Sequence, residues 1–180
     1  MLDYKKLEEM GKEAGFTAVV PLDVNTIECK EKVREMCAAD KCHRYGHTWT
    51  CPPACGTLEE MRRRLTPYSE GILVQTVGEV EDSMDFEAIA EISKAHNESF
   101  FALQQQLKAA CGSVLPLPQN GCARCKECTY PDAPCRFPED AGYSMSAYGM
   151  LVLEVCKLNS LQYYYGSDHM AFTSCFLLKE

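Results

Sequence analysis

The chain has 180 residues, 46% hydrophobic and 24% charged, a balance that excludes an intrinsically disordered protein. Its 18 basic and 26 acidic residues give a net charge of −8, which disfavours binding to nucleic acid or to an anionic membrane surface. The charged start, MLDYKKLEEMGKEAGF, lacks the apolar core of a signal peptide, and no window approaches the about 18 apolar residues of a membrane span. We therefore expect one cytoplasmic domain over residues 1–180.

Hydrophobic periodicity and turn residues divide the chain into helices, strands and two irregular segments. In chain order, the predicted elements are a helix at 2–14, a strand at 16–24, a helix at 57–68, a strand at 71–80, a helix at 84–111, a short strand at 113–118, a helix at 147–158 and two closing strands at 161–166 and 170–178. Thr57 and Glu60 have the spacing of a capping box, which marks the start of the second helix. These elements predict an α+β fold: a mixed or antiparallel sheet covered by about three helices, with two cysteine-rich metal-binding loops at 29–56 and 121–138.

Twelve cysteines are the most unusual feature of the composition. A reducing cytosol does not support a disulfide framework, so this density predicts metal or redox chemistry. Eight of the twelve fall into two clustered sets. The other four, which stand singly and are predicted to be buried as small apolar residues, are Cys29, Cys111, Cys156 and Cys175. Of these, Cys29 and Cys156 are the candidates for exchanged metal ligands.

The strongest chemical signal is the spacing C-x2-C-x2-C-x6-C within residues 121–138. The candidate ligands, which we call the second set, are Cys122, Cys125, Cys128 and Cys135. C-x2-C-x2-C is the spacing of bacterial ferredoxins for a 4Fe–4S cluster, although there the fourth cysteine follows after three residues. Cys135 therefore either closes this cluster or serves a neighbouring one. Zinc is the alternative metal, but structural zinc usually takes two separated pairs of cysteines, or cysteines with histidines.

Another group of thiols lies earlier in the chain, in CAADKCHRYGHTWTCPPAC, with the spacing C-x4-C-x8-C-x3-C. The candidate ligands, which we call the first set, are Cys37, Cys42, Cys51 and Cys55. This spacing matches no common zinc or ferredoxin pattern, although a proline directly follows Cys51, as it follows cluster cysteines in ferredoxins. His43 and His47 either complete a mixed zinc site or are solvated loop residues, and the second interpretation is favoured because four thiols already suffice. Trp49 is predicted to wall this site.

The stretches YGHTWTCPPACG and CARCKECTYPDAPCRFP, followed by a helix near SAYGM, resemble a cysteine-rich family of predicted metal-binding proteins of unknown function. That family occurs mainly in anaerobic bacteria and archaea. The resemblance runs from about Cys37 to the C-terminus. It implies that the two sets of four cysteines each form a metal site, and it implies no reaction.

The sequence favours an iron–sulfur protein with two 4Fe–4S clusters that exchanges electrons with a redox partner protein in the cytoplasm of an anaerobe. One alternative is a structural zinc protein that acts as an interaction module. Another is an enzyme in which one cluster has an open iron that binds a substrate. His96, in the long acidic helix, is predicted to be solvated, and His169 to lie in a turn without a catalytic role.

Overall fold

The structure, a computed structural model, describes residues 2–179 and has five α-helices and four β-strands in that range. In chain order they are α1 (Tyr4–Glu13), β1 (Ala18–Asp23), α2 (Glu31–Cys37), α3 (Leu58–Leu65), β2 (Glu70–Glu79), α4 (Phe86–Ala110), β3 (Ser113–Leu117), α5 (Val152–Leu158) and β4 (His169–Lys179). Short 3-10 turns occupy Val24–Thr26, Pro138–Asp140 and Ser146–Tyr148. The predicted α+β class is confirmed, and every strand pair is antiparallel.

The strands form one sheet in the order β1–β2–β4–β3, so β2 and β4 are its two inner strands. Their pairing runs from Glu70 opposite Leu178 to Glu79 opposite His169. Because side chains alternate between the faces of a strand, each inner strand contributes to two separate cores. Buried and exposed residues do not alternate along the central part of either inner strand, because helices cover both faces of the sheet.

Helices α1 and α4 pack on one face of the sheet, where Phe100 stacks on Phe176 with ring centroids 4.4 Å apart. Helices α3 and α5 pack on the other face, where Met61 and Val155 join Leu73 in a second core. Full burial of one such side chain contributes about 1.5–3 kcal/mol to folding. The two cores hold the sheet as a rigid base for the loops at 38–57 and 118–145.

Two predicted secondary-structure assignments are wrong or incomplete in this part of the chain. The first cysteine-rich segment contains a helix, α2, which we did not predict, and which ends at Cys37. Residues 161–166 do not form a strand. Hydrogen bonds to the side chain of Gln75 in β2 hold this segment beside the sheet. The Gln75 amide donates to the carbonyl oxygen of Gln162, and the Tyr165 hydroxyl donates to the Gln75 side-chain oxygen.

The helix predicted at 147–158 begins only at Val152. Gly149 has a φ of 74°, a left-handed conformation that ends the preceding 3-10 turn before α5 starts. The carbonyl oxygen of Gly149 accepts a hydrogen bond of 2.8 Å from the backbone N–H of Lys30. This turn thus fixes the start of α2, and with it the approach of the chain to the first set of thiols.

His96 is fully buried, and the prediction of a solvated side chain is wrong. Its ring nitrogens bond to the hydroxyls of Thr76, at 2.9 Å, and Ser174, at 2.7 Å. Burial lowers the pKa of His96 to about 4, so the ring is neutral at pH 7. The acidic sequence around it belongs to the outer face of α4, whereas His96 faces the sheet.

None of the helices within residues 2–179 is long and apolar enough to cross a membrane. The organisation of residues 1–180 as one domain stays a prediction, and its two terminal residues, Met1 and Glu180, lie outside the described range.

Candidate metal centre

The first set of thiols is positioned by the C-terminus of α2 and by the loop that leads to α3. Cys37 is the last residue of α2, Cys51 and Cys55 are buried in the loop, and Cys42 is exposed. Burial raises the pKa of the Cys37 thiol, and the nearby thiols of Cys42, Cys51 and Cys55 raise it further. The structure therefore brings all four thiols of this set within electrostatic range of one another.

Arg34 ties this loop together and was not predicted as a site residue. Its guanidinium donates to the carbonyl oxygens of Ala147, at 2.9 Å, and Gly56, at 2.8 Å. Against the larger effect of burial, this cation lowers the pKa of Cys37 and of Cys55. Arg34 stands three residues before Cys37, on the same side of α2, and that spacing was a signal available in the sequence.

Cys51 is buried beside several polar groups. Burial raises its pKa, while the Thr48 hydroxyl, the Arg44 guanidinium and the Thr50 hydroxyl lower it in part. Thr48 is only 8% exposed, and its hydroxyl lies within hydrogen-bonding range of the Cys51 thiol, whose pKa it lowers. That hydroxyl is therefore available to donate to a thiolate or to a bound sulfide. Sequence reasoning missed both threonines, because hydroxyl residues are common in loops.

The second set lies in an irregular loop after β3, and all four of its thiols line one cavity of about 300 Å³. The loop is closed by its own polar groups. Arg136 donates to the carbonyl oxygen of Glu127, and the Thr129 hydroxyl donates to that of Pro134, both at 2.9 Å. Arg124, Lys126 and Arg136, which stand among these thiols in the sequence, line the same cavity.

Trp49 contacts the second loop, not only the first segment that contains it. Its indole N–H donates to the carbonyl oxygen of Ala133, and its ring packs edge-on against Tyr130 at 4.9 Å between centroids. His43 and His47 are exposed and line the second cavity as well. The side chains between the thiols of the first set thus form a wall of the second site.

The two sets adjoin each other. Cys42 lines the cavity of the second set and also a cavity of about 310 Å³ that Cys37 and Cys51 line. A Cβ atom placed on Gly121 would lie 3.3 Å from the Sγ atom of Cys51. The backbone of Gly121, which directly precedes the first thiol of the second set, is therefore packed against the first set.

The donors fit a soft metal or an iron–sulfur cluster, because thiolates are the ligands that zinc and such clusters prefer. None of the twelve cysteines forms a disulfide. Within residues 2–179, no three His, Cys, Asp or Glu side chains lie close enough together to hold a metal ion.

Among the single cysteines, Cys156 and Cys175 are fully buried in the core of α3 and α5, and burial raises the pKa of Cys156 to about 11. Burial also raises the pKa of Cys175 well above its usual range. Cys29 is half-buried against the same core. Neither Cys29 nor Cys156 lines the cavities of the two sets.

No curated protein and no solved structure matches the chain significantly. A model of one protein family matches residues 20–178, which include all twelve cysteines. That family is described as "predicted metal-binding protein (DUF2284)". Because the match covers far more than half of the chain, the protein belongs to this family of predicted metal-binding proteins.

Proposed function

We propose that the protein binds two 4Fe–4S clusters, one on each set of four cysteines, and exchanges electrons with a redox partner protein. The observation that carries this proposal is the contact between the two sets, because Cys42 lines both cavities. Two clusters held on these thiols would be neighbours, as transfer of electrons between them requires. The C-x2-C-x2-C spacing of the second set favours a cluster over zinc.

The cations around the thiols support the same proposal. A cluster on four thiolates carries net negative charge, which nearby cations stabilise. Arg34 and Arg44 act on thiols of the first set, and four cations, Arg44 among them, line the cavity of the second. In the proposal, uptake of a cluster draws the loops closed around it, because metal binding and local folding are coupled.

The exposed position of Cys42 bears on the route of electrons. A cluster held by this thiol would lie close to the surface, where a partner protein can approach it. The cytoplasmic location and the redox partner are parts of the proposal that rest on the sequence.

Protein purified without oxygen tests the proposal through its iron, sulfide and zinc content and its visible and paramagnetic-resonance spectra. We expect about eight iron and eight sulfide atoms per chain. Zinc without acid-labile sulfide would overturn the iron–sulfur proposal and favour a structural zinc protein.

Serine variants assign the clusters to the two sets. Cys51→Ser and Cys125→Ser should each lose about half of the iron, and the double variant nearly all of it. Cys29→Ser is the matched control, since Cys29 lies outside both cavities, and it should keep its full iron content. A loss of iron in this control would identify Cys29 as an exchanged ligand.

A further inference from the structure

The cavity beside the first set has a second wall that no cysteine supplies. Cys37, Cys42 and Cys51 line one side, and residues between Ser144 and Leu153 line the other. Cys55 lines a different recess, with Arg63 and Arg64, so three thiols of this set face the cavity. Its volume of about 310 Å³ falls within the range of small-molecule sites.

The rim of this cavity is apolar and exposed. Met36, Leu153 and Tyr163 line it and are 62%, 47% and 43% exposed, whereas most side chains of this kind are buried in the protein. Covering such surface with an apolar body gains about 25 cal/mol per Å² removed from water. The rim therefore favours a ligand with a compact apolar part.

Apart from its three thiols, the cavity lining carries charge of one sign only, and that sign is positive. Lys41 is the single charged side chain of the lining, and no carboxylate takes part. Within the described residues, Lys41 forms no ion pair. The other polar groups are uncharged amides and hydroxyls, among them Asn120 and Ser146, which can donate hydrogen bonds to an acceptor oxygen. Away from the three thiols, an anion finds a counter-charge at Lys41, whereas a cation finds none.

We propose that this cavity binds a small monocarboxylic acid with a compact apolar body. Its carboxylate pairs with Lys41 and accepts from the amide and hydroxyl groups, and its body covers Met36 and Leu153. The contacts to the ligand stand on the cavity alone, while the presence of a metal centre beside the ligand rests on the proposed function. The site thus gives the first set a ligand that the second set lacks.

Three probes of one shape but different charge test the proposal: benzoate, benzamide and benzamidine. Each is titrated into protein purified without oxygen, and binding is followed by calorimetry and by ligand-observed NMR. We expect benzoate to bind about two- to fivefold more tightly than benzamide, which is the effect of one exposed ion pair, and benzamidine to bind most weakly. Equal binding of the three, or no binding of benzoate at millimolar concentration, would overturn the proposal.

Two variants locate the bound probe. Lys41→Gln should remove the preference for benzoate over benzamide, with Lys32→Gln, an exposed lysine outside the lining, as its control. Leu153→Asp should weaken benzoate about tenfold, since it removes apolar contact and adds a like charge. Its control is Leu158→Asp, because Leu158 is also exposed on α5 but lies outside the cavity.

Benzoate binding that both variants leave unchanged would place the probe elsewhere and overturn the proposal. The metal analysis of the same preparation tests the proposed function separately. Protein that holds no iron yet binds benzoate with these preferences would retain the ligand site and lose the electron-transfer proposal. Protein that holds two clusters but does not bind benzoate would retain the electron-transfer proposal and overturn the ligand site.

Discussion

Arg44 donates a hydrogen bond from its guanidinium to the main-chain carbonyl oxygen of Cys122, over 2.9 Å and across 78 residues of sequence. The same cation lowers the pKa of the Cys51 thiol, which burial raises. The backbone N–H of Cys122 makes a longer bond of 3.4 Å to the Thr50 hydroxyl. One arginine thus acts electrostatically on a thiol of the first set and donates a hydrogen bond to the backbone of the second.

Replacing Arg44 should loosen the junction between the two cysteine loops. We expect Arg44→Gln to lower the free energy of unfolding by about 1–2 kcal/mol, the effect of a partly buried, charge-assisted hydrogen bond. Urea unfolding without oxygen measures it. Lys126→Gln is the control, since Lys126 lines the second cavity but forms no hydrogen bond or ion pair among residues 2–179. Equal losses in both variants would show that only charge matters at this junction.

The buried hydroxyl of Thr48 should tune the centre on the first set. A hydrogen bond to a cluster sulfur stabilises the reduced, more negative state and raises the reduction potential. If the first set holds the proposed cluster, we expect Thr48→Val to lower its reduction potential, while Thr48→Ser keeps it near the wild-type value. A potentiometric titration followed by paramagnetic resonance measures both. A shift in the serine variant with none in the valine variant would assign the effect to the methyl group and contradict this prediction.

His96 should make the protein less stable in acid. Its pKa of about 4 lies below the ordinary value of 6.5, so the unfolded chain binds a proton first as the pH falls. Stability is unaffected by this residue above pH 6.5 and declines between pH 6.5 and pH 4. We expect a loss of about 2 kcal/mol between pH 7 and pH 5 from His96 alone.

Unfolding in urea at the two pH values measures this effect. His96→Gln should reduce the loss by that amount, because glutamine does not titrate. His47→Gln should leave it unchanged, since His47 is exposed. An equal loss of stability between pH 7 and pH 5 in the wild type and both variants would assign the acid sensitivity to the carboxylates.

Alanine substitutions at two glycines with positive φ should distinguish the cost of backbone strain from the cost of a steric clash. Gly46 has a φ of 69° and no atom within 4 Å of an added Cβ, whereas Gly149 has a φ of 74° and an added Cβ would meet the backbone of Lys30 at 2.8 Å. We expect Gly46→Ala to cost about 1 kcal/mol and Gly149→Ala about 3 kcal/mol or more. Thermal unfolding compares them. Similar costs would mean that the Lys30 backbone moves aside without penalty.

Much of the fold follows from local patterns in the sequence. The capping box of Thr57 and Glu60 is present, and it begins α3 where predicted. The buried run of β2 and the length of α4 also follow from periodicity. In contrast, residues 161–166 are apolar and aromatic like a strand but are held by the side chain of Gln75, a contact that no local pattern encodes.

The candidate site, like the fold, is only partly predictable from local sequence patterns. The sequence by itself determined which residue types are present: eight thiols in two clustered sets, with cations and prolines between them. Spacing within one loop is local, so it indicates a ligand set directly. Only the tertiary structure decided that Cys42 lines both cavities, that Arg44 reaches Cys122 and that His96 is buried. Those relations join segments far apart in the chain, and they depend on how the helices pack on the sheet and bring the loops together.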